Sequence, residues 1–248
     1  MTRLTDLEMI IPGSKLAKDL LTADGRTIFT RGTLLDEKKL KQLKEIEIYS
    51  IYVIDERFPD LEAKDIVSES NRQGAVKAIK AAIDSFSCGR GIELRQMVEK
   101  VGLLVEEVTN QSDVLINLSD IRSYDDYTFA HSVNTGILAL LLGSSLGYSK
   151  DRLEELALAT ILHDIGMTLL PKSILAKRGN YEPSEYREVQ KHPLWGYEIL
   201  QRNQISPLAT EVAYQHHERY DGKGYPRGLK GRSSIEEARI ITLADVYD

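Results

Sequence analysis

Cysteine occurs once in this chain, at Cys88, which excludes an internal disulfide and any metal site built from several thiolates. A reducing compartment, the cytoplasm, is the expected location. Long apolar runs are scarce: the longest, around Ile137 to Leu142, falls far short of the roughly 20 residues that a membrane span needs. It reads as a buried helix. The opening MTRLTDLEMIIPGSKLAKDL lacks the uninterrupted apolar stretch and small-residue cleavage site of a secretory signal, so a soluble chain is expected. Positive charge is in deficit, with 32 Lys and Arg against 38 Asp and Glu and a formal charge of -6. That argues against a general affinity for nucleic-acid backbone or anionic membrane. Internal repeats and low-complexity segments are also missing.

The 248 residues suffice for one large domain and a small one. From Leu4 to about Asp55 brief apolar pieces are separated by turn signals at Pro12-Gly13, Asp24-Gly25 and Arg31-Gly32, which predicts a small β-rich unit over residues 1–57. Asp24-Gly25 suits a hairpin turn because it supplies positive φ. A helix is expected from Asp36, as N-cap, to about Glu45, then a strand over Ile48 to Ile54. Helical spacing over Ile66 to Phe86 and Ile92 to Val108 predicts a helical connector over 58–111, broken at Ser85 to Gly91. From 112 to 248 the periodicity is helical throughout, in segments Tyr124–Leu146, Lys150–His163, Pro183–Gln201, Ser206–His217 and Ser234 to the end. The fold class expected is mainly α: an all-helical domain preceded by a small α+β unit and a helical connector.

All five histidines lie between positions 131 and 217. A lone helical histidine is usually a surface or satisfied core residue, and His131 or His192 alone would support nothing. Neutral imidazole and carboxylate oxygen together are the usual ligands of first-row transition metals. His163-Asp164 ends an apolar helix, with Gly166 as a stop signal. Adjacent helical side chains diverge by about 100°, so this pair can reach two neighbouring metals, the carboxylate between them. His216-His217 ends another helix, and Asp245 sits on the last apolar one, after Ile240, Ile241 and Leu243. Buried carboxylates beside imidazoles are costly without a compensating cation.

Read in order, DDYTFAHS, LHDIG, QKHPLWGYEIL, HHERYDGKGYPRGLKG and ITLADVYD resemble the HD-GYP subgroup of the HD phosphohydrolases over about Asp125 to Asp248. The resemblance implies an all-helical domain that holds two or three metal ions, commonly iron and sometimes manganese. It also implies hydrolysis of the bacterial messenger cyclic di-GMP to pGpG or GMP. By motif position, His131, His163 and Asp245 would bind one metal and His192, His216 and His217 the other, with Asp164 bridging. Some relatives with a third metal carry Glu four residues before the first histidine; Tyr127 stands there and favours a two-metal site. Two such cations could share a water, lower its pKa and stabilise charge at phosphorus, with a bridging hydroxide as nucleophile and Asp164 orienting it. Gly224, Tyr225 and Pro226 form the GYP segment. Two readings of it stay open: a loop shaped for the site and for partner contacts, or a rigid turn.

Two departures stand out. Met167 occupies the position after HDIG, where the family usually places a lysine associated with substrate phosphate, and a thioether supplies neither charge nor donor. Lys172 and Lys177 are candidates to compensate. The sequence stops at Asp248, whereas relatives continue into further helix and loop, so a C-terminally incomplete domain and a fraying helix around Asp245 are expected. Three functions are carried forward: a cyclic di-GMP phosphodiesterase regulated through its N-terminal unit, a catalytically weakened binding module, and an HD phosphohydrolase for another nucleotide. The expected partners are a cyclic dinucleotide and either a second copy of the chain or a signalling protein, without membrane binding.

Overall fold

The computed structural model describes residues 2–21, 27–46, 48, 50–54, 66–92, 94–110, 127–175, 177 and 179–248. The described residues up to Ile54 belong to one compact unit, and those from Val67 to Asn110 and from His131 onward belong to a second.

In the first unit β1 (Thr2–Asp6) pairs antiparallel with β4 (Ser50–Ile54), Leu4 opposite Tyr52. Between them lie the short antiparallel pair β2 (Leu20–Leu21) and β3 (Thr27–Phe29) and one helix, α1 (Glu37–Glu45). Asp36 caps that helix, its carboxylate accepting the Lys39 N–H at 2.8 Å. Leu7, Ile10, Leu16, Leu35, Leu43, Ile51 and Val53 form the core. The strand expected from Ile48 begins at Ser50. The Asp24-Gly25 turn lies outside the described residues.

The second unit is helical. Ser68 caps α2 (Glu69–Ser87) by accepting from the Asn71 N–H, and α2 packs along α3 (Leu94–Thr109), which in turn packs on α5 (Lys150–Leu162). Before α5 comes α4 (Tyr127–Ser145), which belongs to this unit from His131 on; its residues from Ser132 to Leu141 are all buried, and a helix covered on every side and mostly apolar sits inside a core. On α2 the buried Arg72 donates to the side-chain oxygen of the buried Asn134, one turn along α4 from His131. A 3-10 turn (Ile165–Leu169), α6 (Lys172–Leu175), α7 (Pro183–Val189), α8 (His192–Arg202), α9 (Pro207–Gln215) and α10 (Glu236–Tyr247) complete the unit. Helix α8 packs on α9 and on the 3-10 turn, while α9 also meets α5 and α10. Among the described residues no helix is long and apolar enough to cross a membrane.

The expected single helix Pro183–Gln201 is two helices. Pro193, the second residue of α8, has no N–H to donate to the Val189 carbonyl, which accepts from the His192 ring instead. The chain therefore ends α7 at Val189 and restarts at His192, which points that histidine back toward the preceding turn.

Candidate metal centre

Four helix ends and one turn of α4 converge on one cluster. His163 caps α5, Asp164 follows it, His192 begins α8, His216 caps α9 with His217 next, and Asp245 lies in the last turn of α10, facing His131 of α4. The approach of α8 to the HD turn is set by Gly166, where a side chain would collide with the His192 carbonyl and the Gly196 backbone. Helix α10 is tied to α9 at two points. Gln215 accepts the Ile235 N–H at 3.0 Å, and the Thr242 hydroxyl lies 2.6 Å from the His216 carbonyl, one turn before Asp245.

Three imidazoles are oriented through the same device. Nδ1 of His163 donates to the Thr160 carbonyl at 2.5 Å, that of His192 to Val189 at 2.6 Å, and that of His216 to Ala213 at 3.0 Å. With Nδ1 as donor, the neutral ring presents its Nε2 lone pair to the cluster. For His131 the partner is a carboxylate instead: Asp248 lies 2.7 Å from Nδ1, and Asp245 lies 2.9 Å from Nε2.

Asp164 stands between two sets. Its Oδ1 is 3.1 Å from His192 Nε2 and 3.4 Å from His216 Nε2, and its Oδ2 is 3.4 Å from His163 Nε2. Ligand atoms of Asp164, His192, His216 and His217 lie within 4.8 Å of one another, as do those of His131, His163 and Asp164. Asp245 adds an oxygen 3.7 Å from His163 Nε2.

Two features fit bound cations. Among the described residues, the fully buried Nε2 of His163 has no hydrogen-bond partner, a costly state for a ring nitrogen. The Nε2 atoms of His192 and His216 face each other at 3.1 Å; with both Nδ1 atoms already donating, two lone pairs meet there unless a proton or a metal intervenes. The donor chemistry, imidazole nitrogen with carboxylate oxygen, suits a first-row divalent ion.

The electrostatics agree. Burial would raise the Asp164 pKa, but the His163 charge, with the imidazoles of His192 and His216 close by, holds it well below the usual carboxylate range. Burial likewise opposes charge on His163, yet Asp164 and Asp245 push it well above normal. His131 follows the same logic: burial lowers its pKa, and the hydrogen bonds of Asp245 and Asp248 outweigh this and raise it to about 9. Burial, then the charges of His216 and His192, drive His217 down to about 2. In the metal-free chain, protons on His131 and His163 thus partly neutralise the carboxylates, while burial keeps His216 and His217 neutral.

Gly224, Tyr225 and Pro226 lie beside this cluster: the Tyr225 ring stacks on His217, centroids 4.7 Å apart. A side chain at Gly224 would strike the His217 carbonyl and the Arg219 amide. Met167 packs partly buried against Leu170, Ile174 and Val189. Of the two candidate lysines, Lys177 pairs with Glu185 at 2.5 Å, and Lys172 lies in α6. The side chain of Tyr127 lies outside the described residues. Sequence reasoning passed over Asp248, Gln215, Glu218 and Thr242. An acidic residue three positions after Asp245, at the cap of the same helix, and polar residues flanking the histidine pair were the signals available.

The family model described as "HD domain" matches residues 113–248. The chain is 32% identical over 188 residues to the cyclic di-GMP phosphodiesterase response regulator RpfG of Xanthomonas campestris, covering 70% of this chain and 50% of that protein. It is 34% identical over 174 residues to a cyclic di-GMP phosphodiesterase of Pseudomonas aeruginosa, covering 68% of this chain and 42% of the relative. A 3'3'-cGAMP-specific phosphodiesterase of Vibrio cholerae is 37% identical over 149 residues, 60% of this chain and 34% of that one. The chain thus spans half or less of the length of these relatives. A solved HDG"Y"P protein from Bdellovibrio bacteriovorus superposes with a TM-score of 0.62 over 99% of this chain and 86% of its own, at 17% identity, a likeness of fold. With the HD pair, the ordered histidines and the GYP segment in place, the chain belongs to the HD domain family.

Proposed function

We propose that this chain is a metal-dependent phosphodiesterase that hydrolyses cyclic di-GMP to pGpG or GMP. The observation that carries the reading is the divided carboxylate of Asp164, one oxygen toward His192 and His216 and the other toward His163. In this reading His131, His163 and Asp245 hold one divalent ion, His192, His216 and His217 hold a second, and Asp164 serves both. Iron is the metal proposed, with manganese as the substitute. When bound, such a pair lowers the pKa of a water and offsets charge developing on a phosphodiester. The residues themselves supply a largely buried, oriented cradle. Backbone carbonyls fix three ring tautomers, Asp248 fixes a fourth ring, and the buried core around Leu156, Ala209 and Val212 keeps the cradle rigid. The names of the Xanthomonas and Pseudomonas relatives support the substrate. The exposed Cys88 suits the reducing cytoplasm proposed as the location.

A specific observation favours a second reading, a catalytically weakened binding module. Met167, at the position where the family usually places a phosphate-associated lysine, packs its side chain against the apolar Leu170, Ile174 and Val189. The experiment that tests both loads anaerobically purified protein with Fe²⁺ or Mn²⁺ and offers cyclic di-GMP, 3'3'-cGAMP and a linear dinucleotide. Release of pGpG or GMP from cyclic di-GMP supports the first reading; tight binding without turnover supports the second. Preference for another nucleotide would reassign the substrate.

A further inference from the structure

Four of the five imidazoles are oriented by a hydrogen bond at Nδ1, three to backbone carbonyls and one to Asp248. His217 has no ring hydrogen bond among the described residues. It is held by rings: His192 edge-on at 4.9 Å, His216 tilted at 4.2 Å, and Tyr225 stacked at 4.7 Å with the planes 29° apart. The first two are neighbours within the cluster, so the support from outside comes from Tyr225.

Tyr225 is carried by the loop between His217 and Gly231, and that loop closes around Glu218. The Glu218 side chain is buried, 4% exposed. Its two oxygens accept the backbone N–H groups of Arg227 and Leu229, each at 2.7 Å. A carboxylate bonded to two main-chain donors at 2.7 Å is a strong, charge-assisted clamp. The Tyr225 N–H completes the attachment by donating to the His217 carbonyl at 3.2 Å.

We propose that Glu218 and Tyr225 are positioning residues for His217: the stacked phenol ring orients this imidazole as a hydrogen bond at Nδ1 orients each of the others, and the Glu218 clamp holds the ring in place. Neither touches the reacting atoms. The proposal rests on reading the cluster as a two-metal site, and it makes the two halves unequal. In the half containing His131 every imidazole is braced by Asp248 or by backbone, whereas in the other half one ligand, His217, depends on a surface loop. Loss of the loop contact lowers affinity in that half alone, by about the 10- to 100-fold typical of outer-shell partners of a ligand.

The test titrates the metal-free 248-residue chain with Mn²⁺ by calorimetry, with circular dichroism as the check on folding. Wild type is expected to bind two ions. Tyr225→Phe keeps the stacked ring and should match it, whereas Tyr225→Leu and Glu218→Ala should retain one ion at wild-type affinity and bind the second about 10- to 100-fold more weakly. Where Glu218→Ala fails to fold, Glu218→Gln, which keeps one acceptor oxygen, should show the same selective loss in smaller degree. Two ions bound by Tyr225→Leu with wild-type affinity would overturn the proposal alone, as would a loss in Tyr225→Phe equal to that in Tyr225→Leu, which would assign the role to the hydroxyl. A wild type that binds no metal would overturn the metal-site reading and this proposal with it.

Discussion

Asp164 Oδ1 sits 3.1 Å from His192 Nε2 while the other oxygen of the same carboxylate faces His163 at 3.4 Å. A single side chain thereby joins an imidazole at the end of α5 to one at the start of α8. Asp164→Asn keeps the shape and removes the charge. It is expected to lower metal content from two ions per chain to one or fewer and to cut turnover about 100-fold or more. Elemental analysis after gel filtration, beside the turnover assay, measures both.

The metal-free protein should lose stability on the alkaline side. The folded pKa of His131 is raised to about 9, because Asp245 and Asp248 outweigh its burial, against about 6.5 in an unfolded chain. A raised histidine contributes stability fully below about pH 6.5 and loses it as pH climbs through about 9; His163, also raised, acts in the same direction. Tm in the presence of a chelator should fall between pH 6.5 and 9, and Asp248→Asn should flatten that fall.

Because a ligand must shed its proton to bind metal, affinity in the His131 half should rise with pH. The expected slope is about tenfold per pH unit for each proton displaced, with the His131 contribution levelling off near pH 9. His217, held down to about 2 by burial and by its histidine neighbours, contributes no such slope. A Mn²⁺ titration at several pH values, giving one steep and one shallow dependence, checks the assignment. Two equal slopes would contradict it.

Met167→Lys should lower KM for cyclic di-GMP by about 3- to 10-fold, in line with one added charge-assisted hydrogen bond partly offset by leaving the Leu170 cluster. Steady-state kinetics on the loaded enzyme decides this. An unchanged KM would show that the missing lysine is not what limits substrate binding.

Gly166→Ala should destabilise the second unit by about 3 kcal/mol or more, since its Cβ meets backbone and not a movable side-chain tip. Urea unfolding followed by far-ultraviolet dichroism provides the measurement.

Much of the site was legible because its chemistry is carried by rare residue types in a fixed order. Every histidine of the chain joins the cluster, and His163-Asp164 and His216-His217 stand at helix ends where adjacent side chains diverge. The helical second half and the N-terminal α+β unit followed from periodicity and turn residues. The contributions of Asp248, Gln215, Glu218 and Thr242 were not legible, because each acts on an element distant in sequence or on main chain that only the folded loop presents. Asp248 reaches His131 across the fold, and Glu218 gathers N–H groups 9 and 11 residues away. The break between α7 and α8 was missed for a local reason: the apolar spacing runs on through it, and only Pro193 announces it.

The close approach at Gly166 has an evolutionary corollary. Where two elements meet through main chain, a later enlargement cannot be accommodated by trimming a neighbour, because peptide atoms are common to all residues. Position 166 should therefore stay glycine in any selected library, even one that freely exchanges the surrounding aliphatic residues, and drift in metal preference or substrate range must arise elsewhere on the scaffold.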